Sequence, residues 1–536
     1  MTKIAEEAVP DPNSEERISN SNRKPLAFHM SFMALVIMVL IVSLDATALS
    51  VAIAVIAHEL HGTTLEAFWA SISFMLAVVI IQPVHTSLSN VLGRKTPLYA
   101  SFLMLFIGSI VFAIAHSMSI LILGRVLQGL GAGGLDVLSE VILADMTTLK
   151  ERPLYLGLFV VPMAAGCIFG PIMGGLFSEH LDWRWIGWVN LPVAAVGFLL
   201  VLFFLKLKSI PLTPREKMVR VDWIGIALYS VGCTLFVLPV TWAGQMYPWK
   251  SWMTILPLIL GTIILAVFAW YESRPMEPMF PYRIFRKRTA TATLIAGTLH
   301  GAVTYPSILY TLLFFQAIFL QSPLKSAISL MPYACSSMVF SVIAAVAVEL
   351  VRKYRLFILV TWVSTAVGAG LIALWNPSSS LAVKTVFQIL LGIGTGALFS
   401  ILMIPIQACV DVDDMGIAAG ILVSFRLFGG LVGLSMSAAV FHNVFEKKIV
   451  MVKGLPEVAA DLQDVREAVG FIPQLRNLSV SSPALAEIVN AYRQALIAVF
   501  LMLAGFGAIG FLLSFFIEEI TLEKEELGRQ QFVDQG

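Results

Sequence analysis

Asp45 stands in LIVSLDATALSVAI, residues 40–53, inside an apolar run that holds no other acid from about Leu26 to Ala57. If that run crosses a bilayer, the charged carboxylate costs roughly 2.5–3.5 kcal/mol at mid-depth. Two roles fit such a residue: a proton carrier, or one member of a structural polar pair. A base for the pair is available in LILGRVLQGLGAGG, where Arg125 is followed by Gln128. Asp136 and Glu140 come next, one helical turn apart, and Asp136 lies about three turns from Arg125 on the same helix face. These acids suit proton or cation binding, or exposure to water near a pore mouth. Arg426 also stands in an apolar run with no assigned partner.

Other chemistries find no support. GLGAGG (129–134) matches a dinucleotide pattern, but it lies within a continuous apolar helix and not at a strand-to-helix turn. There is no phosphate-binding GxxxxGK[ST], so no ATP site is expected. The eight histidines are scattered, and no nucleophilic triad or cofactor site is expected. Cys167, Cys233, Cys335 and Cys409 lie in apolar runs without metal-ligand spacing, which argues against disulfides and metal. A net charge of +1 with no basic block gives no reason to expect nucleic acid.

The elements that must position these residues are membrane spans. Apolar residues make up 58% of the chain and charged ones 13%, with a mean hydropathy of +0.86; soluble domains are about 45–50% apolar and about 25% charged. An all-α polytopic membrane protein follows. Spans of about 20 residues are expected near 30–57, 67–89, 97–115, 118–144, 154–177, 186–205, 222–243, 253–271, 290–319, 326–349, 356–375, 381–409, 415–441 and 493–517. Lys and Arg concentrate in alternate loops, which puts both termini in the cytoplasm. Loop 442–492 is then external and carries the sequon at Asn477. The first apolar run reads as a signal anchor, with no cleavable leader.

Internal echoes suggest two halves: LQGLGAGGLDV from Leu127 resembles LLGIGTGALFS from Leu390, and LGRKTPL from Leu92 loosely resembles VRKYRLF. In GCIFGPIMGG, Gly166, Gly170 and Gly174 share one helix face, Pro171 removes a backbone bond, and Gly175 closes the motif.

That stretch resembles the antiporter motif of the major facilitator superfamily. LDATALSVAIAVIA and the Arg125–Gly131 segment resemble the first- and fourth-span motifs of its fourteen-span drug:proton antiporters. WRWIGWVNLP (183–192) and MFPYRIFRKRT (279–289) are similar to fungal members that export secondary metabolites and drugs. The resemblance implies the major facilitator fold, two six-helix halves plus two inserted spans, fourteen in all. It implies proton-driven efflux of small organic compounds from a monomer, with Asp45 and Arg125 in proton coupling and spans one and four lining a central cavity. Gln128, Asp136, Glu140, Tyr310, Gln316 and Arg426 are candidate cavity residues. In 304–319, Tyr305, Tyr310, Phe314, Phe315 and Gln316 form an aromatic stretch that suits either a wall for a large amphipathic substrate or helix packing and lipid contact. An importer of iron chelates or nutrients, or a receptor that kept the fold, is the alternative.

The family's loop between spans two and three departs here: Asn90 stands where the motif has Asp, while Gly93, Arg94 and Lys95 remain. The acids of DVDD, Asp411, Asp413 and Asp414, precede span thirteen, so Arg94 or Lys95 is expected to pair with Asp411 or Asp414 as a replacement cytoplasmic gate. The expected organisation is a tail at 1–29, a first half at 30–205, a linker with the inserted spans at 206–289, a second half at 290–517 and a tail at 518–536. The plasma membrane is the expected location, with vacuole or vesicles as alternatives.

Overall fold

The computed structural model describes residues 24–62, 64–208, 210–243, 247–452, 462, 468, 471–475 and 483–522. Asn477 lies outside them. Fourteen long helices dominate the described residues. The first six are α1 Leu26–Glu59, α2 Thr64–Leu92, α3 Lys95–Ala113, α4 Met118–Met146, α5 Arg152–His180 and α6 Trp185–Phe204. After them come α7 Trp223–Trp242 and α8 Trp252–Tyr271. The last six are α9 Arg288–Ala317, α10 Met331–Val351, α11 Arg355–Ile372, α12 Leu381–Ile401, α13 Met415–Ile449 and α14 Pro483–Ser514.

Local chemistry explains their ends. Ser117, Asp222, Ser251 and Ser380 cap helix starts by accepting from backbone amides. Gly93 turns the chain between α2 and α3 at φ 95°, a conformation that residues with a Cβ rarely adopt. Trp185, Trp223, Trp242 and Trp252 mark helix ends, where amphipathic rings suit the membrane interface.

Thirteen helical segments among the described residues are long and apolar enough to cross a bilayer. The fourteenth long helix, α9, spans 30 residues but is diluted by polar side chains. Thr293, His300, Ser307 and Thr311 on it are all buried, turned toward protein and away from lipid.

Four expected spans differ in detail. The span expected at 326–349 is a short helix, Pro323–Ser329, followed by α10; Pro332 at the second position of α10 cannot continue the hydrogen-bond ladder. The span expected at 381–409 breaks at Leu402 into α12 and a short helix Met403–Cys409, for the same reason at Pro405. Helix α14 begins ten residues before 493 and α13 ends eight residues after 441. Hydropathy marks only the part within hydrocarbon, and both helices run beyond it.

Helix α1 packs on α5 and α6, and α4 packs on α1, α2 and α3. In the later part, α9 packs on α13 and α14, α10 on α12, and α11 on α12 and α14. The two groups meet where α5 touches α10 and α12, and where α13 touches α2 and α4. The pair α7–α8 packs on itself, with α7 also against α2 and α13.

Candidate functional site

Three polar clusters lie along the interior. The first surrounds Asp45. Its Oδ1 accepts from Asn190 Nδ2 at 2.9 Å, Arg125 Nη1 at 3.2 Å and Gln128 Nε2 at 3.3 Å. Arg125 also donates to the Asp45 carbonyl and to Gln128 Oε1, and its guanidinium lies 4.3 Å from the centre of the Phe74 ring. Gln128 continues to Ser109 Oγ at 3.2 Å. Asp45 and Arg125 are each 1% exposed, and Asp45 Oδ2 has no hydrogen-bond partner among the described residues. All the donors come from α4 and α6. Asp45 is thus sealed within the first helix group in this arrangement, where a cavity-lining position was expected. Converging donors make such burial tolerable, because an unpaired buried charge is far more costly.

The second cluster joins the two helix groups. Gln82 on α2 donates to Asp136 at 2.8 Å. Glu140 Oε1 lies 3.6 Å from Arg426 Nη1 on α13, an ion pair with both side chains buried. Arg426 also donates to the Phe399 carbonyl and lies over that ring. His300 on α9 bonds the Thr395 carbonyl through Nε2 at 2.9 Å. Arg426 therefore has its partner, and Glu140 sits between helix groups instead of at a water-filled mouth.

The third cluster closes the basic end, the end that charge placement led us to expect in the cytoplasm. Arg94 is 1% exposed and donates to Asp145 at 2.7 Å and to Ser89 at 2.8 Å. Asp414 pairs with Arg283 in a two-pronged contact through Nε and Nη2. The expected pairing of Arg94 or Lys95 with the acids at 411–414 is therefore not formed. A buried guanidinium needs a partner in direct reach, and the end of α4 supplies one. Asp411 is exposed, Lys95 half-buried, and Asn90 buried with Oδ1 unpartnered. Arg152 instead links the groups, donating to Gln407 at 2.9 Å. A Cβ on Gly416 would strike Arg94, and one on Gly420 would strike Thr86, so α13 approaches α2 closely here.

The glycine motif packs against α1. A Cβ at Gly166 would collide with Ser43, at Gly170 with Thr47, and at Gly174 with the Ala48 carbonyl. Thr47 Oγ1 donates to the Gly166 carbonyl at 3.1 Å. Pro171 and Gly175 are half-buried within an unbroken α5.

The aromatic stretch on α9 is largely a packing surface. Tyr310 lies against Phe441, while Phe314 and Phe315 pack on Trp375. Gln316 is half-buried beside them. Rings of this size are drawn into helix contacts by area burial. Asn190, Gln82, Asp145, Arg152, Gln407 and Arg283 were not singled out from sequence. Asn190 and Gln82 carry the signal that marked Asp45: one polar residue in an apolar run.

The Major Facilitator Superfamily model matches residues 35–434. The MFS-type transporter sphD of Aspergillus fumigatus is 43% identical, covering 98% of this chain and 91% of that protein. Efflux pump FUS6 of Gibberella moniliformis is 30% identical, covering 97% and 93%. The solved human organic anion transporter MFSD10 (TETRAN) shares the fold, with a TM-score of 0.55 at 14% identity, over 92% of this chain and 100% of that one.

Proposed function

The chain belongs to the major facilitator superfamily of multi-pass membrane transporters, and on that premise we propose that it exports small organic compounds in exchange for protons. Secondary metabolites, toxins or drugs are the substrate class, and relatives named efflux pumps support the outward direction. The reading is of a monomer in the plasma membrane, driven by no ATP, whose halves at 30–205 and 290–517 rock about the substrate.

The observation that carries coupling is the Asp45–Arg125 pair with its Gln128 and Asn190 donors. A proton added to Asp45 cancels the charge that Arg125 holds. Arg125 then keeps the Asp45 carbonyl, Gln128 and the Phe74 ring as partners. The same helix, α4, carries Glu140 to Arg426 in the opposite group, so a shift of α4 at one cluster is felt at the other. Intramembrane charges of this kind mark ion pathways. Asp136 and Glu140 are the candidate second proton or cation site, with Arg426 opposing.

The test begins with the compound that cells retain when the protein is absent. That compound is then added to proteoliposomes holding a pH-sensitive dye. Outward substrate flux must be matched by proton counterflow; flux without proton movement would overturn the reading.

A further inference from the structure

A cavity of about 350 Å³ lies between the inserted pair α7–α8, the segment around Phe280–Phe285, and α13, and its lining includes no residue of the three clusters. That volume is in the range of small-molecule sites, about 300–1,000 Å³. Its walls are mostly aromatic, with Tyr229 and Phe268 from the inserted pair, Phe280 from the linker, and Phe425 and Phe428 from α13. One charged group reaches it. Glu272, 3% exposed, accepts from the Phe280 amide through Oε1, while Oε2 is buried with no hydrogen-bond partner among the described residues. Among the described residues, no Lys, Arg or His lines the cavity. Asp222, capping α7, adds a second acid near Glu272 and is held by Tyr271 at 3.2 Å. Ala269 of α8 and Tyr282 of the linker line it and are exposed, as is Trp270, and Tyr282 donates to the Ala269 carbonyl.

We propose that this cavity binds a free amphipathic amine, with its aromatic body among the rings and its ammonium on Glu272 Oε2. An ammonium satisfies the orphan oxygen by a charge-assisted hydrogen bond and is attracted by the surrounding ring faces. The inserted pair thereby forms a membrane-side receptor site. The site stands apart from Asp45, so the proposal does not rest on proton coupling.

The experiment titrates the full-length protein in phosphatidylcholine nanodiscs with dansylcadaverine, a naphthalene-bearing primary amine. Dansylamide, which lacks the ammonium, serves as the neutral comparison. Saturable binding is expected, with the amine about tenfold tighter than the amide, as one charge-assisted contact would give. Glu272→Gln keeps an acceptor for the Phe280 amide and should erase that tenfold preference. Cys233→Trp should fill the cavity and abolish both. Asp45→Asn should alter neither, which separates this site from the coupling reading. Unchanged amine preference in a folded Glu272→Gln variant overturns the proposal, as does the absence of saturable binding to the unmodified protein. Displacement of the dye by added phosphatidylethanolamine would make the cavity a lipid site and equally overturn it.

Discussion

Arg152 donates to Gln407 across a separation of 255 residues, tying the start of α5 to the short helix Met403–Cys409. The other guanidinium nitrogen is held by the Ala144 and Thr147 carbonyls, each at 2.6 Å. The first helix group thus fixes the arginine and presents one donor to the second. This bond stands at the closed basic end, where the family's usual acid is replaced by Asn90.

Gln407→Leu should open that end. Losing a hydrogen bond to a charged donor costs about 1.5–3 kcal/mol, enough to move a two-state population about tenfold or more. A cysteine placed at Ala345, which is buried against Gly157 across the groups, reads this out. Its labelling from the cytoplasmic side should accelerate; an unchanged rate would show that the bond carries no bias.

Asp45→Asn should abolish substrate-driven proton movement while the protein still folds. The amide is isosteric and its oxygen can still accept from Asn190 and Arg125, but it does not titrate. Proton flux in proteoliposomes checks this, and retained coupling would leave Asp45 a structural partner only.

Arg125→Ala should destabilise strongly, by about 3–5 kcal/mol, because it strands a buried carboxylate. Adding Asp45→Asn should recover most of that loss, since the stranded charge is removed. Thermal melts of the two single variants and the double variant decide it. Additive losses would mean the pair is not coupled.

Gly170→Val should block turnover. Its side chain would strike Thr47 and the Leu44 carbonyl, forcing α5 away from α1 at an overpacking cost of about 1–3 kcal/mol. Normal transport in reconstituted vesicles would show that the contact can open without loss.

Glu272→Gln should stabilise the protein more at alkaline than at acidic pH. Burial pushes the Glu272 carboxyl up to about 7, with Asp222 reinforcing and the Phe280 amide opposing. The folded state keeps a proton that an unfolded chain releases above its ordinary value of 4.5. The stability this contributes is complete below that value and is lost as pH rises through about 7. The melting difference between the variant and the unmodified protein should therefore widen from about pH 5 to about pH 8. A constant difference would place the carboxyl elsewhere on the scale.

Much of the architecture is legible without coordinates. Apolar runs of span length and alternating basic loops are local properties, set by the transfer of each side chain and backbone group into hydrocarbon. The same local signal singled out Asp45, Arg125 and Glu140, each expensive where it stands. It also showed that Gly166, Gly170 and Gly174 share a face, because helical period alone dictates that.

Which faces meet is not local. Asp45 is held by Asn190, 145 residues away, and Glu140 meets Arg426 only because α13 crosses α4. The gate expected between Arg94 and the acids at 411–414 resolved into Arg94–Asp145, Arg283–Asp414 and Arg152–Gln407. A buried charge takes the partner that packing brings within about 3 Å, since attraction weakens with distance while the desolvation cost stays. Composition along the chain lists the charges that need partners; only the packed helices decide which of them meet.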